Sequence, residues 1–494
     1  MNNIENNAGT KAFILVFSKV ITLLMSIITT MILARTLTLD EYGTYSELLT
    51  ISSIGVSLFS LGLPNALNYF LPQYNNKIEK QKFIGFYYVI VTAISLLIMI
   101  VMIFANKQIA GYYGNQKLVI YSYFLLIIPW TKLIISSRSN MLVAEGQVAR
   151  EVIYCILNGL SLVILSVLIM FADGTFDQYI MLYVIVECIF AILVHAEAFR
   201  ISGKTVRVSI DTKKIIELLR YTIPLGLSTA ISTISLDLDK LIIGWFMDES
   251  SVAIYANAGK ELPFSLISTS FTAVFLPQII MLVKNNKINP AISRWKNIME
   301  LNYIILTFCV GISIVFAPQI ITLLYSEQYI AGVRIFRVYS LTLLTRITYW
   351  AMILNAFGKT AEILYNSIIC LAVNTVLSIL MFKYVGFIGP ALATIISILV
   401  MSMLQIYRTT KLIHKNILEI IPFKQFLLPT IVTGISGLFV YILMEKLNIG
   451  IDKKSILTVV GIGVLWGLLY IAIFAKKILY LWKTLNKNTN VLGG

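Results

Sequence analysis

The segment Ser235-Leu-Asp-Leu-Asp-Lys-Leu-Ile-Ile-Gly244 lies within a long, largely apolar stretch that runs from Tyr221 to Gln278. It is apolar enough on both sides to form a membrane helix, yet it carries Asp237, Asp239 and Lys240 in close succession. A charged side chain at the centre of a spanning helix costs roughly 2.5 to 3.5 kcal/mol even on the mildest scale. We therefore expect these residues to face a partner helix or a water-filled cavity.

The composition indicates a polytopic membrane protein. Of the 494 residues, 58% are hydrophobic and only 13% are charged, and the mean hydropathy of +0.85 excludes an ordinary soluble protein. The four cysteines lie in apolar runs without CxxC spacing, which favours small core residues over a redox or metal site. The two histidines are far apart in sequence and support no metal or catalytic site.

Apolar runs of about twenty residues, each long enough to span a bilayer, divide the chain into fourteen predicted transmembrane helices. The fold class is thus predicted to be all-α and polytopic. The first run is too long for a signal-peptide core and is interpreted as a retained span. The predicted spans are 12–34, 46–71, 83–105, 118–138, 151–172, 178–199, 219–246, 252–282, 299–324, 333–357, 361–382, 387–407, 426–445 and 456–475.

Two short repeats suggest an internal duplication. The pattern L-x-A-x-G-x-x-A at Leu142–Ala149 recurs at Leu354–Ala361, and the tetrapeptide Phe70–Gln73 recurs at Phe275–Gln278. The offset of six spans is even, so it predicts two bundles with the same orientation, related by a pseudo-two-fold axis along the membrane normal. The predicted domains are an N-terminal six-helix bundle (1–200), a cytoplasmic linker (201–218), a C-terminal six-helix bundle (219–415), and two additional transmembrane helices with a basic cytoplasmic tail (416–494).

The net charge of +15 is interpreted as a topology signal. Lys and Arg residues number 25 in one set of loops and 8 in the alternate set. Because cytoplasmic loops carry the excess of positive charge, both termini are expected in the cytoplasm. Nucleic-acid binding is therefore not expected.

The sequence offers little room for an enzyme active site. All loops are short, and Gly203-Lys-Thr205 and Gly358-Lys-Thr360 lack the first glycine of a Walker motif, since Ala198 and Ile353 occupy that position. No nucleophile and base constellation is recognisable. We expect neither enzymatic activity, nor a cofactor, nor a metal.

Polar side chains inside the predicted spans form the candidate site. Asp237 and Lys240 are three positions apart and can pair on one helix face, and a second polar stripe includes Asn257, Lys260 and Glu261. One interpretation is that these charges neutralise one another in a packed interior. The alternative is a cationic cavity for a phosphate or diphosphate, with candidate ligands drawn from both predicted halves: Lys19, Lys240, Lys260 and Arg346.

Other residues of this region are assigned weaker roles. Three carboxylates are candidates for ion coupling or for counter-ions to the lysines: Asp237, Asp239 and Glu261. Aromatic rings and amides are candidates for glycan contacts, although an aromatic residue in a span is more often a core or interface residue. The candidate glycan contacts are Asn65, Asn68, Asn257, Tyr255, Tyr349 and Trp350.

Two stretches carry a family resemblance. Ala34-Arg-Thr-Leu-Thr-Leu-Asp-Glu-Tyr-Gly-Thr-Tyr45 resembles the pattern A-R-x-L-G-x-x-x-Y-G-x-Y, with Thr38 where glycine is frequent. Asp239-Lys-x-x-Ile-Gly244, followed by Val252–Ala258, is similar to the start of the second half of the same family. On these residues the chain resembles the Wzx-type oligosaccharide flippases, the polysaccharide-biosynthesis branch of the MOP exporter superfamily that also contains MATE and MurJ-type proteins.

The resemblance covers nearly the whole chain and implies a carrier. Such a protein moves a polyprenyl-diphosphate-linked oligosaccharide from the cytoplasmic to the outer leaflet of the bacterial cytoplasmic (inner) membrane by alternating access, for lipopolysaccharide or capsule biosynthesis. The implied partners are the lipid-linked glycan, the bilayer, and a polysaccharide polymerase with its chain-length machinery. Two alternatives stay open: a MATE-like ion-coupled small-molecule exporter, which should have an acidic cavity, and a membrane polysaccharide polymerase or ligase, which should have a large outer loop.

Overall fold

The computed structural model describes residues 8–60, 62–71, 74, 76–145, 147–202, 212–260, 264–447 and 455–487. Within these residues the regular structure is helical and contains no strand. A spanning segment must satisfy its own backbone hydrogen bonds in lipid, and a helix does so within one apolar run. The predicted all-α class is therefore confirmed.

The contacts divide the chain into two compact units, Met1–Ala256 and Asn257–Gly494. The predicted division into bundles 1–200 and 219–415 was based on the order of the spans and not on contacts, and it stays a prediction. The linker residues 203–211 lie outside the described residues. The helices up to the boundary of the first unit are α1 Ala8–Thr36, α2 Leu39–Phe59, α3 Leu63–Phe70, α4 Lys77–Tyr113, α5 Lys117–Ile120, α6 Ser122–Ala144, α7 Val148–Phe171, α8 Phe176–Ser202, α9 Thr212–Phe246 and α10 Glu249–Ala258.

The second unit continues with ten helices among its described residues and with 3-10 turns at Glu327–Gly332 and Gly386–Ile388. Its helices are α11 Ser265–Lys284, α12 Ile288–Val315, α13 Ala317–Tyr325, α14 Val333–Thr345, α15 Met352–Ala356, α16 Thr360–Val385, α17 Gly389–Ile413, α18 Ile417–Ile420, α19 Phe423–Lys446 and α20 Ser455–Lys487.

Every predicted span coincides with one of these helices or with a neighbouring pair. Eight helical stretches of the described chain are long and apolar enough to cross a membrane, which confirms the polytopic prediction. The expectation of one continuous helix per span is wrong in several places. The spans 46–71, 118–138, 252–282, 299–324 and 333–357 are each divided between two helices.

Helix boundaries follow the predicted repeat. Val148 and Thr360 begin α7 and α16, and these positions are 212 residues apart, the offset of the L-x-A-x-G-x-x-A pattern. In the second copy, Gly358 adopts a φ of 71°, a conformation that glycine adopts without strain at a helix end. Gly146, its counterpart, lies outside the described residues. The predicted pseudo-two-fold relation between bundles stays a prediction.

The main apolar core of the second unit surrounds α12. Trp295 and Met299 of α12 are fully buried and pack in one cluster with Ile347, Met352 and Phe474. Burial of such side chains contributes about 1.5–3 kcal/mol each where water is the alternative environment. This packing holds the chain between α14 and α15 against α12.

Candidate functional site

The turn before α2 explains the first family-like stretch. Thr38 is the N-cap of α2: its hydroxyl accepts a hydrogen bond from the Glu41 amide (3.3 Å), and Glu41 Oε2 accepts one from the Thr38 amide (2.9 Å). This reciprocal capping box is a strong helix start, and threonine is a better cap than most residues. Thr38, the departure from the family pattern, is therefore a structural element of the turn.

Gly43 and Tyr45 of the same stretch make close contacts within the first unit. A Cβ atom on Gly43 would lie 1.9 Å from the carbonyl oxygen of Glu249, so only glycine permits this approach of α2 to the start of α10. The Tyr45 ring packs edge-on against Tyr179 of α8, with ring centroids 5.5 Å apart. The stretch thus joins α2 to α8 and α10 and has a packing role.

Asp248 caps the start of α10 in a related way. Its carboxylate accepts a hydrogen bond from the Ser251 amide at 2.9 Å. Hydrogen bonds from Ser251 hold the pKa of the Asp248 carboxyl below its ordinary value. Thr38 and Asp248, which are 210 positions apart, therefore cap α2 and α10 at nearly the offset of the sequence repeat.

The charged segment of α9 forms a three-residue polar group. Lys240 Nζ lies 2.5 Å from Asp237 Oδ1, and the Ser53 hydroxyl of α2 donates to Asp237 Oδ2 at 2.9 Å. The predicted Asp237–Lys240 pair is thus present, and α2 supplies a second donor. The Lys240 side chain is 30% exposed and that of Asp237 only 13%, so the ammonium has the greater access to a ligand.

The other predicted site residues of the first unit differ in their exposure. Lys19 is exposed on α1, whereas Asp239 is buried on α9. Tyr255 is buried within α10, so its ring is covered in this structure. Asn65 and Asn68 lie in α3, but their side chains fall outside the described residues.

The predicted span 333–357 is interrupted, and Arg346 marks the interruption. Helix α14 ends at Thr345, and residues 346–351 are not α-helical before α15 begins at Met352. Arg346, Tyr349 and Trp350 all fall in this break and are partly exposed. The prediction of a continuous helix here is therefore wrong, and three predicted ligand contacts lie in the break between α14 and α15.

Side chains satisfy the backbone of this break. Asn302 of α12 donates to the Ile347 carbonyl (2.8 Å), and the Trp350 indole donates to the Thr345 carbonyl (2.5 Å). The indole of Trp295 donates to the Thr348 hydroxyl at 2.7 Å. An unsatisfied backbone group in hydrocarbon costs several kcal/mol, so irregular backbone at membrane depth persists only where protein buries it or where it lines a wet cavity.

A second break separates α10 from α11, and Lys260 lies in it. Lys260 lines a narrow cleft of about 10 Å³ together with Ser313, Tyr339, Ser340 and Leu343. Leu343 belongs to the last turn of α14, immediately before Arg346, so this cleft adjoins the helix that ends at Arg346. Asn257 is buried at the end of α10. Glu261, predicted as a counter-ion, lies outside the described residues.

An apolar cleft of about 470 Å³ lies between α12, α14 and α19. Its floor is formed largely by small residues, including Gly311, Gly434 and Gly437. Arg337 contributes one guanidinium to its lining and donates from Nε to the Ile314 carbonyl at 3.1 Å. The cleft therefore combines a long apolar surface with one cation.

The sequence matches a known family over more than half its length. Residues 8–283 match the model described as "Polysaccharide biosynthesis protein". The chain belongs to this family. An uncharacterized membrane protein of Methanocaldococcus jannaschii is 23% identical over 472 residues, which cover 90% of each chain.

Solved structures share the fold of this polysaccharide biosynthesis family member. The lipid II flippase MurJ in an inward closed conformation matches with a TM-score of 0.74 and 17% identity, covering 95% of this chain and 99% of MurJ. An inward-facing MATE family multidrug resistance transporter of the MOP superfamily matches with a TM-score of 0.61 and 14% identity, covering 80% and 96%. The predicted polysaccharide-biosynthesis family is confirmed by the family match, and the solved MurJ and MATE structures share the fold.

Two charge clusters of the family member were missed by sequence reasoning. Lys132 of α6 pairs with Glu187 of α8 at 3.0 Å. Both residues fall inside predicted spans, and a charge within an apolar run was the sequence signal that could have identified them. Arg138, one of the 25 residues assigned to the first set of loops, instead lies buried in α6 and pairs with Glu197 at 2.6 Å. The loop-charge count is wrong for Arg138, because helix α6 continues to Ala144.

Proposed function

We propose that this protein is a flippase that moves a polyprenyl-diphosphate-linked oligosaccharide from the cytoplasmic to the outer leaflet by alternating access. The observation that carries the proposal is the helix break at residues 346–351, which exposes Arg346 beside Tyr349 and Trp350 in a polysaccharide biosynthesis family member. The neighbour MurJ is named a lipid II flippase, and its fold covers nearly all of this chain.

The chemistry of the break suits a diphosphate linked to a sugar. The planar guanidinium of Arg346 can bind phosphate oxygens in a bidentate manner, and the Arg346 side chain is partly exposed. Tyr349 and Trp350 are partly exposed next to it and can stack on a sugar ring. We assign recognition of the head group to this break.

The remaining candidate residues take supporting roles in the proposal. Lys19, Lys240 and Lys260 supply further cations for the diphosphate. Asp237 acts as the counter-ion of Lys240, because the two are already paired. The other assignments are ion coupling or charge balance for Asp239 and Glu261, and glycan contacts for Asn65, Asn68, Asn257 and Tyr255.

The apolar cleft between α12, α14 and α19 suits the polyprenyl chain. The cleft has a volume of about 470 Å³, and its lining is mainly apolar. Burying an isoprenoid chain there replaces lipid contacts without desolvating polar groups, so the cleft can guide the chain at low energetic cost. In this proposal, the tail stays at the lipid side while the glycan crosses.

A deletion strain tests the proposal in the cell. The deleted strain should accumulate the lipid-linked repeat unit on the inner face of the cytoplasmic membrane and lose surface polysaccharide. Accumulation of unpolymerised repeat units on the outer face would instead favour the polymerase or ligase alternative. New susceptibility to organic cations with normal polysaccharide would favour the MATE-like exporter.

Topology belongs to the same proposal. We infer that both termini lie in the cytoplasm and that a polymerase with its chain-length machinery receives the product at the outer face. Cysteine labelling from either side of the membrane checks the first part. Labelling of a cysteine placed near residue 488 from the outer face only would contradict it.

A further inference from the structure

Lys132 and Glu187 form an unusual ion pair between two helices of the first unit. Lys132 Nζ lies 3.0 Å from Glu187 Oε1. Lys132 stands near the middle of α6, and its side chain is 40% exposed, whereas the Glu187 side chain is completely buried in α8. A cation in the middle of a span is expected to face a water-filled cavity rather than lipid. The ammonium thus connects an accessible surface to a buried carboxylate.

The two oxygens of Glu187 are in different environments. Oε1 accepts the hydrogen bond from Lys132. Oε2 is buried and has no hydrogen-bond partner in the part of the chain that the structure describes. A buried carboxylate is tolerated as an anion only while a cation or several donors balance it. Glu187 therefore depends on the single ammonium that reaches it.

Neutral groups make up the rest of the described surroundings of Glu187. Lys132 is the one cation within ion-pair distance of it among the described residues. Of the tyrosines of α4, Tyr88 interacts with Arg138 and Glu197. The titratable groups that interact with Glu187 from the packed elements are Tyr45 of α2, Lys132 of α6, Tyr154 of α7, and Tyr183 and Cys188 of α8.

The neighbouring Arg138 cluster shows what a closed pair looks like. Arg138 is held by Glu197 at 2.6 Å and by Glu151 at 3.7 Å, and its guanidinium lies 4.0 Å from the Tyr154 ring centroid. Its side chain is only 8% exposed. An external anion has no comparable access to it. Lys132 has a single carboxylate partner and a partly exposed side chain, so it differs from Arg138 both in its partners and in its accessibility.

We propose that Lys132 and Glu187 form a proton-linked anion switch. When the ammonium of Lys132 turns to a phosphate group of the substrate, Glu187 loses its counter-charge and takes up a proton at Oε2. Lys132 keeps its own proton, and the added proton comes from water, so the carboxylate becomes a neutral carboxylic acid. Anion binding and proton binding are then linked, and each strengthens the other.

The anion-binding half of the switch rests on the proposed function, whereas the proton-binding half does not. Its Glu187 half can be tested without any substrate, by removing the ammonium. The Lys132→Gln variant leaves Glu187 buried and alone, so a protonated carboxyl should form at neutral pH. Lys132→Arg keeps the charge and should leave Glu187 ionised. Lys415→Gln is the control, because Lys415 pairs with Glu419 at 3.4 Å and the Glu419 side chain is 51% exposed, so that carboxylate stays hydrated when the ammonium is removed.

Infrared difference spectroscopy of the full chain in lipid nanodiscs measures that carboxyl. The variant-minus-wild-type spectrum should show an additional carbonyl band of a protonated carboxyl for Lys132→Gln and no additional band for Lys132→Arg or Lys415→Gln. The additional band should disappear again in the double variant Lys132→Gln/Glu187→Gln. The proposal is overturned if the additional band is missing from Lys132→Gln, persists in the double variant, or is equally strong in Lys415→Gln.

Calorimetry with farnesyl diphosphate tests the anion half. Titrations in two buffers with different ionisation heats should show about one proton taken up per diphosphate bound, since one carboxylate links the two events. Glu187→Gln should bind the diphosphate without proton uptake. Binding without uptake in wild type would overturn the switch and leave the proposed function standing. An absence of binding by wild type would contradict the proposed function, and the anion half of the switch with it.

Discussion

The two units each place an arginine within a predicted span, in contrasting environments. In the first unit, Arg138 stands on the continuous helix α6, and two carboxylates and an aromatic ring enclose its guanidinium. In the second unit, Arg346 stands at the end of α14, where the helix breaks and the side chain is partly exposed. We propose that the enclosed charge of Arg138 holds helices together, whereas the partly exposed charge of Arg346 binds the ligand. Burial and the regularity of the surrounding helix, rather than residue type, distinguish the two arginines.

Removing the enclosed arginine should have the largest effect on stability. In Arg138→Ala, Glu197 and Glu151 lose their buried counter-charge, so the free energy of unfolding should fall by about 3–5 kcal/mol. Denaturant titration of the purified protein in detergent measures it. The double variant Arg138→Ala/Glu197→Gln should recover part of the loss. A loss no larger than that of an exposed arginine would break the comparison.

Removing the arginine at the break should affect transport instead. Arg346→Ala should lower the rate of lipid-linked glycan transfer by about tenfold to a hundredfold, because a charge-assisted hydrogen bond contributes about 1.5–3 kcal/mol. Its unfolding free energy should stay within about 1 kcal/mol of wild type. Arg408→Ala is the control, since Arg408 is partly exposed in the same unit and has its own carboxylate, Glu362, at 3.3 Å. Equal transport losses in both variants would remove the distinction.

Filling the apolar cleft should produce a smaller transport defect. A Cβ on Gly434 would meet open space, so Gly434→Leu can occupy the cleft without a clash. We expect a transport rate several-fold below wild type, with unchanged binding of a water-soluble diphosphate. Gly461→Leu is the matched control, because Gly461 also faces open space but does not line the cleft. An unimpaired Gly434→Leu protein would argue against the assignment of the cleft to the polyprenyl chain.

The smallest effect is expected at the cap of α2. Thr38→Ala removes the capping box and should cost about 1 kcal/mol of unfolding free energy, whereas Thr38→Gly should cost only a few tenths. Thermal unfolding measures the difference. Transport per folded molecule should be unchanged in both variants. A selective loss of transport would show that this family-like stretch belongs to the ligand site and not to the structural side of the comparison.

Sequence patterns predicted what depends on local periodicity. Apolar run lengths located the spans, and the spacing of three positions predicted the Asp237–Lys240 pair that the structure contains. The break at 346–351 depends on partners distant in sequence, such as Asn302, which is 45 residues from Ile347. Lys132 and Glu187 are 55 positions apart, and only the rotation of α6 and α8 brings them together. Neither the lengths of the apolar runs nor the loop charges specify how α6 and α8 are rotated about their own axes.

Transport by the purified protein tests the central proposal most directly. The protein is reconstituted into liposomes with a fluorescent polyprenyl-diphosphate-linked oligosaccharide, and the glycan exposed on the outer leaflet is measured over time by its accessibility to a glycosidase. We predict that wild type and Arg408→Ala equilibrate the glycan between leaflets rapidly, while Arg346→Ala does so about tenfold to a hundredfold more slowly. Wild-type liposomes that expose the glycan no faster than protein-free liposomes would contradict the account.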